Sequence, residues 1–554
     1  MARFGFVGPS YTPYSISADS QRTANLYPER VESEQGKNRF VLYGTPGLLN
    51  FAALVNVAIA GGGAGYSTND ILTVVGGTGT AMTLRVTSQA AGVINGIAVE
   101  TSGYYSVRPT DPVSVTGGTG TGATFTLNFA NEIVALYYEQ VTKRIFAVAR
   151  LENSTIRLFE LTIAGAQTDR GQLSATVGTL QPASISSNGL QLLIVLPEML
   201  TAFSYTLATN ALVDETADIG NTNPVWGQFL DQYFIALCDN GSIYISALLD
   251  GTTWDVLDTA KAESSPDITR MIQADHGELW QFGDDSIEVW FDSGAADFPF
   301  EPIKGSTIQH GILYKYSVAA LDNSLFFAGR GADGGFVIWR TDGYGPQRVS
   351  NHAVERSIHA LGALSSKPVA WAYKDHGHSF YVLTFPGNNL TWVYDATTGM
   401  WHERSYLNGS TEEAHRGYCH VFVGGEDGAT AAQLVGDRAN GRIYKMDLSY
   451  LDDFGNSIRR ERRAIHLADE QKRIFYKRLQ LEIEAAAGAF TLEYSNDGGG
   501  TFSSAITGRA NFSNAGRVWD RLGSARDRVF RIRSTASIKH AWMDAYLDLE
   551  PGKH

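Results

Sequence analysis

The chain has 554 residues, with 44 Lys and Arg against 58 Asp and Glu, a formal net charge of −14. That sign argues against a nucleic-acid binder, whose affinity rests largely on Lys and Arg contacts to phosphate. Two cysteines, Cys238 and Cys419, are too few for a disulfide framework. The 58 Gly, 25 Tyr and 27 Phe favour short strands and tight turns over helices.

The opening residues, MARFGFVGPS, lack a basic stretch followed by an apolar run, so no signal peptide is expected. The most apolar stretch, GLQLLIVLPEML (189–200), is broken by Pro197 and Glu198. It falls short of the ~18 apolar residues of a membrane helix. The expectation is a soluble protein made in the cytoplasm.

From residue 55 to 129, Gly, Thr, Val and Ala dominate and charge nearly vanishes. Here GGTGTAMTLRVT (76–87) is echoed by GGTGTGATFTLNF (117–129), 41 residues on. Each copy reads as strand, glycine turn, strand, and GVINGIAVETSG (92–103) between them reads as a further hairpin. A phosphate loop would need a Lys after the glycines and a helix behind them. Neither is present, so the glycines are read as turn residues.

From about 131 to 450, aromatic-rich strands alternate with polar turns such as DNG, GDD, GADGG and PGNN. The spacing of roughly 40–50 residues is that of propeller blades and predicts six or seven of them. One stretch, SNHAVERSIHALGAL (350–364), has helical period, with Ser350 or Asn351 placed to cap it. Beyond residue 460, clean alternation in FYKRLQLEIEAA, AFTLEYS, VFRIRS and HAWMDAYLDLE predicts a β-sandwich. The fold class is therefore all-β: a propeller (130–460) joined by an N-terminal segment (1–54), a Gly/Thr-rich module (55–129) and a C-terminal sandwich-like domain (461–554).

Chemistry-bearing clusters are sparse. In DHGH, His376 and His378 stand at i and i+2, a spacing that puts two strand side chains on one face, as a metal pair would require. No second ligand cluster accompanies them. HRGYCH sets His415, Cys419 and His420 close in sequence but without an orienting partner for a thiol–imidazole pair. Ser495, Asp497, Gly499, Thr501 and Phe502 resemble the Asp-box of sialidases and other propellers, a structural hairpin turn. No catalytic residue, metal or cofactor is assigned, and the protein is expected not to be an enzyme.

Residues 459–478, RRERRAIHLADEQKRIFYKR, hold eight Lys or Arg against three acids, and a second arginine group follows at 517–533. In an acidic chain such clusters are candidate interface positions. They are Arg459, Arg460, Arg462, Arg463, Lys472, Arg473, Lys477, Arg478, Arg526 and Arg528.

The segment GFVGPSYTPYSISADSQRTANLYPERVESEQGKNRFVLYGTPGLLNF (5–51) resembles the packaged-DNA-stabilising, tail-nozzle proteins of short-tailed bacteriophages. RVSNHAVE (348–355), DHGHSFYVLTFP (375–386), LEYSNDGGGTFS (492–503) and RLGSARDRVFRIR (521–533) resemble that family too. The resemblance implies a virion protein: a ring of copies, six by family habit, below the portal and adaptor and beside needle or fibre proteins. Double-stranded DNA would pass through it without specific binding. Residues 55–129 stand outside the resemblance and read as a module inserted into a loop. The competing reading is a tail protein that binds a receptor or glycan through propeller loops and this module; a glycan hydrolase would need paired carboxylates that the sequence does not name.

Overall fold

Short two-residue turns shape the chain. In a tight hairpin both central residues take positive φ, which matches the right-handed twist of the strands they join. Asp231 and Gln232 (φ 47° and 75°), His276 and Gly277 (52° and 75°), Asp322 and Asn323 (49° and 59°), and His376 and Gly377 (47° and 83°) each close such a hairpin. The computed structural model describes residues 2–32, 40–175, 181–220, 223–262, 267–295, 298–331, 334–425, 431–484, 488–510 and 516–552.

The fold is an all-β propeller. Among the described residues five four-stranded sheets stand by themselves: 184–214, 224–261, 271–302, 319–348, and 417–447 completed by Gly47–Ala53. Two further four-strand meanders, 121–174 and 369–403, have the same order but belong to nine-stranded sheets. The expected six or seven blades are thus five separate ones. The remaining two meanders do not end at their edge strands: residues 55–116 extend the first, and Arg22–Ala24 with strands of residues 460–534 extend the second. The predicted helix forms as His352–His359, where the Asn351 side chain accepts from the amides of Ala353 (3.1 Å) and Val354 (3.0 Å).

The chain divides into two compact units. One comprises residues 1–49, 316–415 and 446–554. Within it an eight-stranded sheet holds Leu26–Arg30, Phe40–Gly44, Ile474–Ile483, Gly516–Asp520 and Ala541–Pro551. It packs on the sheet that carries Arg460–Ala468 and Asp527–Ser534. Phe6, Leu26, Leu481, Trp519, Phe530 and Trp542 fill the space between as one buried cluster. Both chain ends therefore contribute strands to this sandwich.

The second unit comprises residues 50–315 and 416–445. Its 55–129 segment folds around a core of its own, including Leu72, Met82, Leu84, Val86, Phe125 and Leu127. Val55 pairs in register with Phe129, so the segment leaves and returns at one place. The echoed glycines play equivalent parts: Gly76 and Gly77 (φ 102° and 73°) match Gly117 and Gly118 (90° and 74°). The copies are also interlocked. Buried Tyr105 accepts from the Met82 amide at 2.8 Å, just past the first GGTGT. Tyr66 accepts from the Ala123 amide at 3.4 Å, just past the second. Gly63 and Gly103, both near φ 64°, press backbone to backbone against residues 121–123 and 80–82 respectively, where a Cβ would come within 2.6 Å. Residues 92–103 are not a hairpin. Ala91 and Gly92 make the turn, and Val93–Thr101 is a single strand against Thr83–Ala90. Gly96 sits at a register shift in that ladder.

Candidate functional site: the arginine ladder of the C-terminal sheet

Strand alternation splits the first basic cluster between two faces. In Arg460–Ala468, even-numbered Arg460, Arg462 and Ala464 share one face and are buried, with Arg462 fully enclosed. A buried guanidinium needs acceptors for its five N–H groups. Arg462 donates to the Phe6 and Pro9 carbonyls, to Thr23 Oγ1 at 2.9 Å and to Gln21 Oε1 at 2.6 Å. It thereby pins the N-terminal segment to the sheet. Burial lowers its pKa to about 9 against the pull of Asp19, which still leaves the charge in place at neutral pH. Arg460 is likewise lowered, to about 10, by burial. Arg528 lies over Tyr494 (4.2 Å) and Tyr476 (4.5 Å) and donates to Asn496 Oδ1 at 2.9 Å. Arg460, Arg462 and Arg528 are therefore interior groups and leave the candidate interface. Arg462 and Arg528 find local acceptors there.

The opposite face carries a row of alternating charges that crosses five strands. Glu403 accepts from Arg22 Nε at 2.9 Å, and Arg22 also meets Glu412 (3.2 Å) and Glu461 (3.3 Å). Glu461 is fully buried and accepts from Arg533 Nε at 2.6 Å. Arg533 reaches Glu493 at 3.3 Å, and Glu493 accepts from Arg531 Nε at 2.6 Å. Arg463 lies 3.9 Å from Glu461, and Arg459 lies 3.6 Å from Glu412. Arg531 stacks 3.7 Å over the Phe502 ring. Burial alone would raise the Glu461 carboxyl, but Arg22, Arg533 and Arg463 overcome it and hold it down at about 2. Most of these partners are acids that sequence reading did not single out. Arg22 stood inside the N-terminal motif DSQRTANLYPE but was not assigned a charge partner.

The other five candidates are exposed and each has a local partner. Lys472 meets Glu470 (2.9 Å), Arg473 meets Ser524 Oγ (3.2 Å), and Lys477 meets Glu550 (2.7 Å). Arg478 meets Asp520 at 2.6 Å, and Arg526 donates to the Gln471 carbonyl.

The remaining motifs take structural places. His376 sits in the turn at positive φ with its Nδ1 on Asp375 at 2.6 Å, a geometry that His276 and Asp275 repeat at 2.8 Å. His378 is instead buried on the strand, Nδ1 to Asp395 at 2.8 Å. Because His376 is a turn residue, the i, i+2 rule for strands does not bring the two imidazoles together. Burial pushes the Cys419 thiol up and lowers His420 to about 4, so neither is poised for nucleophilic chemistry. The Asp497 carboxylate accepts from Ser495 Oγ (2.5 Å), Thr501 Oγ1 (2.6 Å) and the Thr501 amide (2.9 Å). This ties the 495–501 loop, and those bonds hold its carboxyl below the usual range.

These features define a propeller protein whose charged groups serve its architecture: arginines buried as ties and a ladder of ion pairs across a sandwich sheet. Residues 157–450, just over half of the chain, match the family described as "Phage_stabilise: Bacteriophage P22 Gp10, beta-propeller". The chain belongs to that family and is a phage structural protein. Among solved structures it is similar to streptogramin B lyase, with 10% identity over 57% of this chain and 94% of that one, TM-score 0.36. It is also similar to the N-terminal domain of Nup159 (8% identity, 57% and 89%, TM-score 0.35) and to the WD40 β-propeller domain of Doa1 (9% identity, 57% and 92%, TM-score 0.34). No curated protein matches the chain.

Proposed function

We propose that this protein stabilises packaged DNA in the virion of a short-tailed phage, as a ring of copies forming the tail nozzle beneath portal and adaptor. Family membership across the propeller is the observation that carries the reading. In this reading the ring is hexameric, continues the channel through which the genome leaves, and neighbours the needle or fibre proteins. It works without a catalytic step.

Physical chemistry supports the role. A ring closes through two different complementary patches on each copy. The exposed basic residues Lys472, Arg473, Lys477, Arg478 and Arg526 are the candidates that remain for one patch, against acidic surface on the next copy. A DNA conduit also works best without cationic grip, because each neutralised phosphate adds affinity. A chain of net charge −14, with its arginine ladder already matched to acids, suits passage. Residues 55–129 would be an inserted module displayed on the ring.

The test is negative-stain microscopy of purified protein mixed with its portal–adaptor complex. A closed ring with an axial opening about as wide as a DNA duplex is expected. Monomers that ignore the complex would overturn the proposal.

A further inference from the structure

We infer that His378 is a proton-operated clasp: as an imidazolium it bridges Asp395 of the 369–403 meander to Glu29 of the strand Leu26–Arg30, and as a neutral imidazole it lets that strand loosen. Its Nδ1 lies 2.8 Å from Asp395 Oδ2, and its Nε2 lies 3.6 Å from Glu29 Oε2. A carboxylate only accepts, and a neutral imidazole carries a single N–H. Both acids are served at once only when both ring nitrogens are protonated. If the nearer Asp395 keeps the one remaining N–H, the neutral ring turns its Nε2 lone pair toward the Glu29 carboxylate.

Strand alternation brings Glu29 to this place. Leu26 belongs to the buried sandwich core, while Tyr27 and Glu29, two residues apart, share the opposite face. Tyr27 meets the imidazole at 5.1 Å with ring planes 72° apart, and Phe380 stacks on it at 5.6 Å. The meander side of the clasp is fixed: buried Asp395 also accepts from the Thr397 amide (3.0 Å) and from Thr398 Oγ1 (2.7 Å). The other side can move. Glu29 is partly exposed, and its strand ends the order of its sheet, hydrogen-bonded to Phe40–Gly44.

The groups that surround His378 do not compete for the proton near neutral pH. His402, on the far side of Phe380, is wholly buried, and neither of its nitrogens has a hydrogen-bond partner among the described residues. Burial, and then the Arg404 and His378 charges, lower it well below 6.5. Burial raises Tyr27 and Tyr43 from 10.0, and Tyr373 to about 12. Asp375, in register with His378, is engaged by His376 at 2.6 Å. For His378 itself burial alone would lower the imidazole, but Asp395 and then Glu29 overcome it and raise it from 6.5. The clasp's contribution is therefore complete below pH 6.5 and is lost as pH climbs through the folded value.

The test is hydrogen exchange of the full-length protein between pH 6 and 9, read by mass spectrometry and corrected for intrinsic rates. Protection of peptides covering Leu26–Arg30 should fall about fivefold over that range, the worth of one partly exposed ion pair. Peptides from Ile474–Ile483, in the same sheet, should hold steady. Glu29→Gln should flatten the 26–30 profile, because a side-chain amide can face either form of the ring. His378→Gln should flatten it too; since that site is buried, the partly exposed Glu29→Gln is the deciding variant. A flat profile in the unaltered protein, a fall equally deep in Glu29→Gln, or an equal fall in Ile474–Ile483 would overturn the inference.

Discussion

Glu461 and Arg533 meet at 2.6 Å across two adjacent strands, with the carboxylate wholly shielded from water. Arg22 and Arg463 share the same acid. Replacing it by Gln leaves these guanidinium groups without their common anion. Glu461→Gln should therefore destabilise the sandwich by about 3–5 kcal/mol, as breaking buried ion pairs does. Urea denaturation at neutral pH, followed by tryptophan fluorescence, measures this; Trp519 and Trp542 lie in the core beneath.

Acid should have a matching effect. The folded Glu461 carboxyl is depressed from 4.5 to about 2. Its contribution is fully present above the ordinary pKa and disappears as pH falls through the folded value. That window, pH 4.5 down to about 2, should carry about 3 kcal/mol at 1.36 kcal/mol per unit. In Glu461→Gln the stability curve should flatten across the same window. An unchanged slope would assign the acid sensitivity to other carboxylates.

Tyr105→Phe removes the acceptor for the Met82 amide and leaves a buried N–H unsatisfied. A loss of about 1–3 kcal/mol, confined to residues 55–129, is expected. Gly103→Ala should cost more, because it adds a Cβ at φ 63° against the Met82 and Thr80 backbone. Hydrogen exchange read peptide by peptide separates this segment from the blades.

Both thiols should be silent in the native protein. Cys238 is fully buried, and burial raises the Cys419 thiol well above its ordinary value. A disulfide reagent at pH 8 should label neither until the protein is unfolded, and both then.

Asp497→Ala should open the 495–501 loop without unfolding the sandwich. Exchange protection of the Thr501 amide should fall, because its acceptor is gone. Since hydrogen bonds depress the Asp497 carboxyl, the tie in the native protein holds through mild acid and loosens only as the carboxyl protonates.

The blades were legible in the sequence because their information is local. An Asp-His-Gly triplet closes a hairpin on its own at 275–277 and again at 375–377. The Asp-box-like turn was legible for the same reason: all its ties fall within seven residues. The arginine ladder was not. Arg22, Glu403 and Glu461 meet only because Arg22–Ala24 lies between strands 381 and 439 residues further along the chain. Read alone, RRERR looks like a solvated basic patch. The partners that make it an internal structure come from elsewhere, and side-chain alternation then decides which arginines turn inward. The hairpin expected over 92–103 fails for a related reason. Asn-Gly is a strong local turn signal, but the neighbouring strand offered a longer ladder that absorbs the glycine as a bulge.

The strand Thr121–Glu139 runs 19 residues without interruption, paired with Val55–Ala64 up to Phe129 and with Arg144–Leu151 from Ala130 onward. A tug on the 55–129 segment would have no slack connector to stretch. It would travel along one continuous pleated rod and arrive in the adjoining meander as shear on consecutive amide–carbonyl bonds. Mechanically the segment is a rigid lever and not a tethered pendant: whatever seizes its tip also twists the blade that bears it.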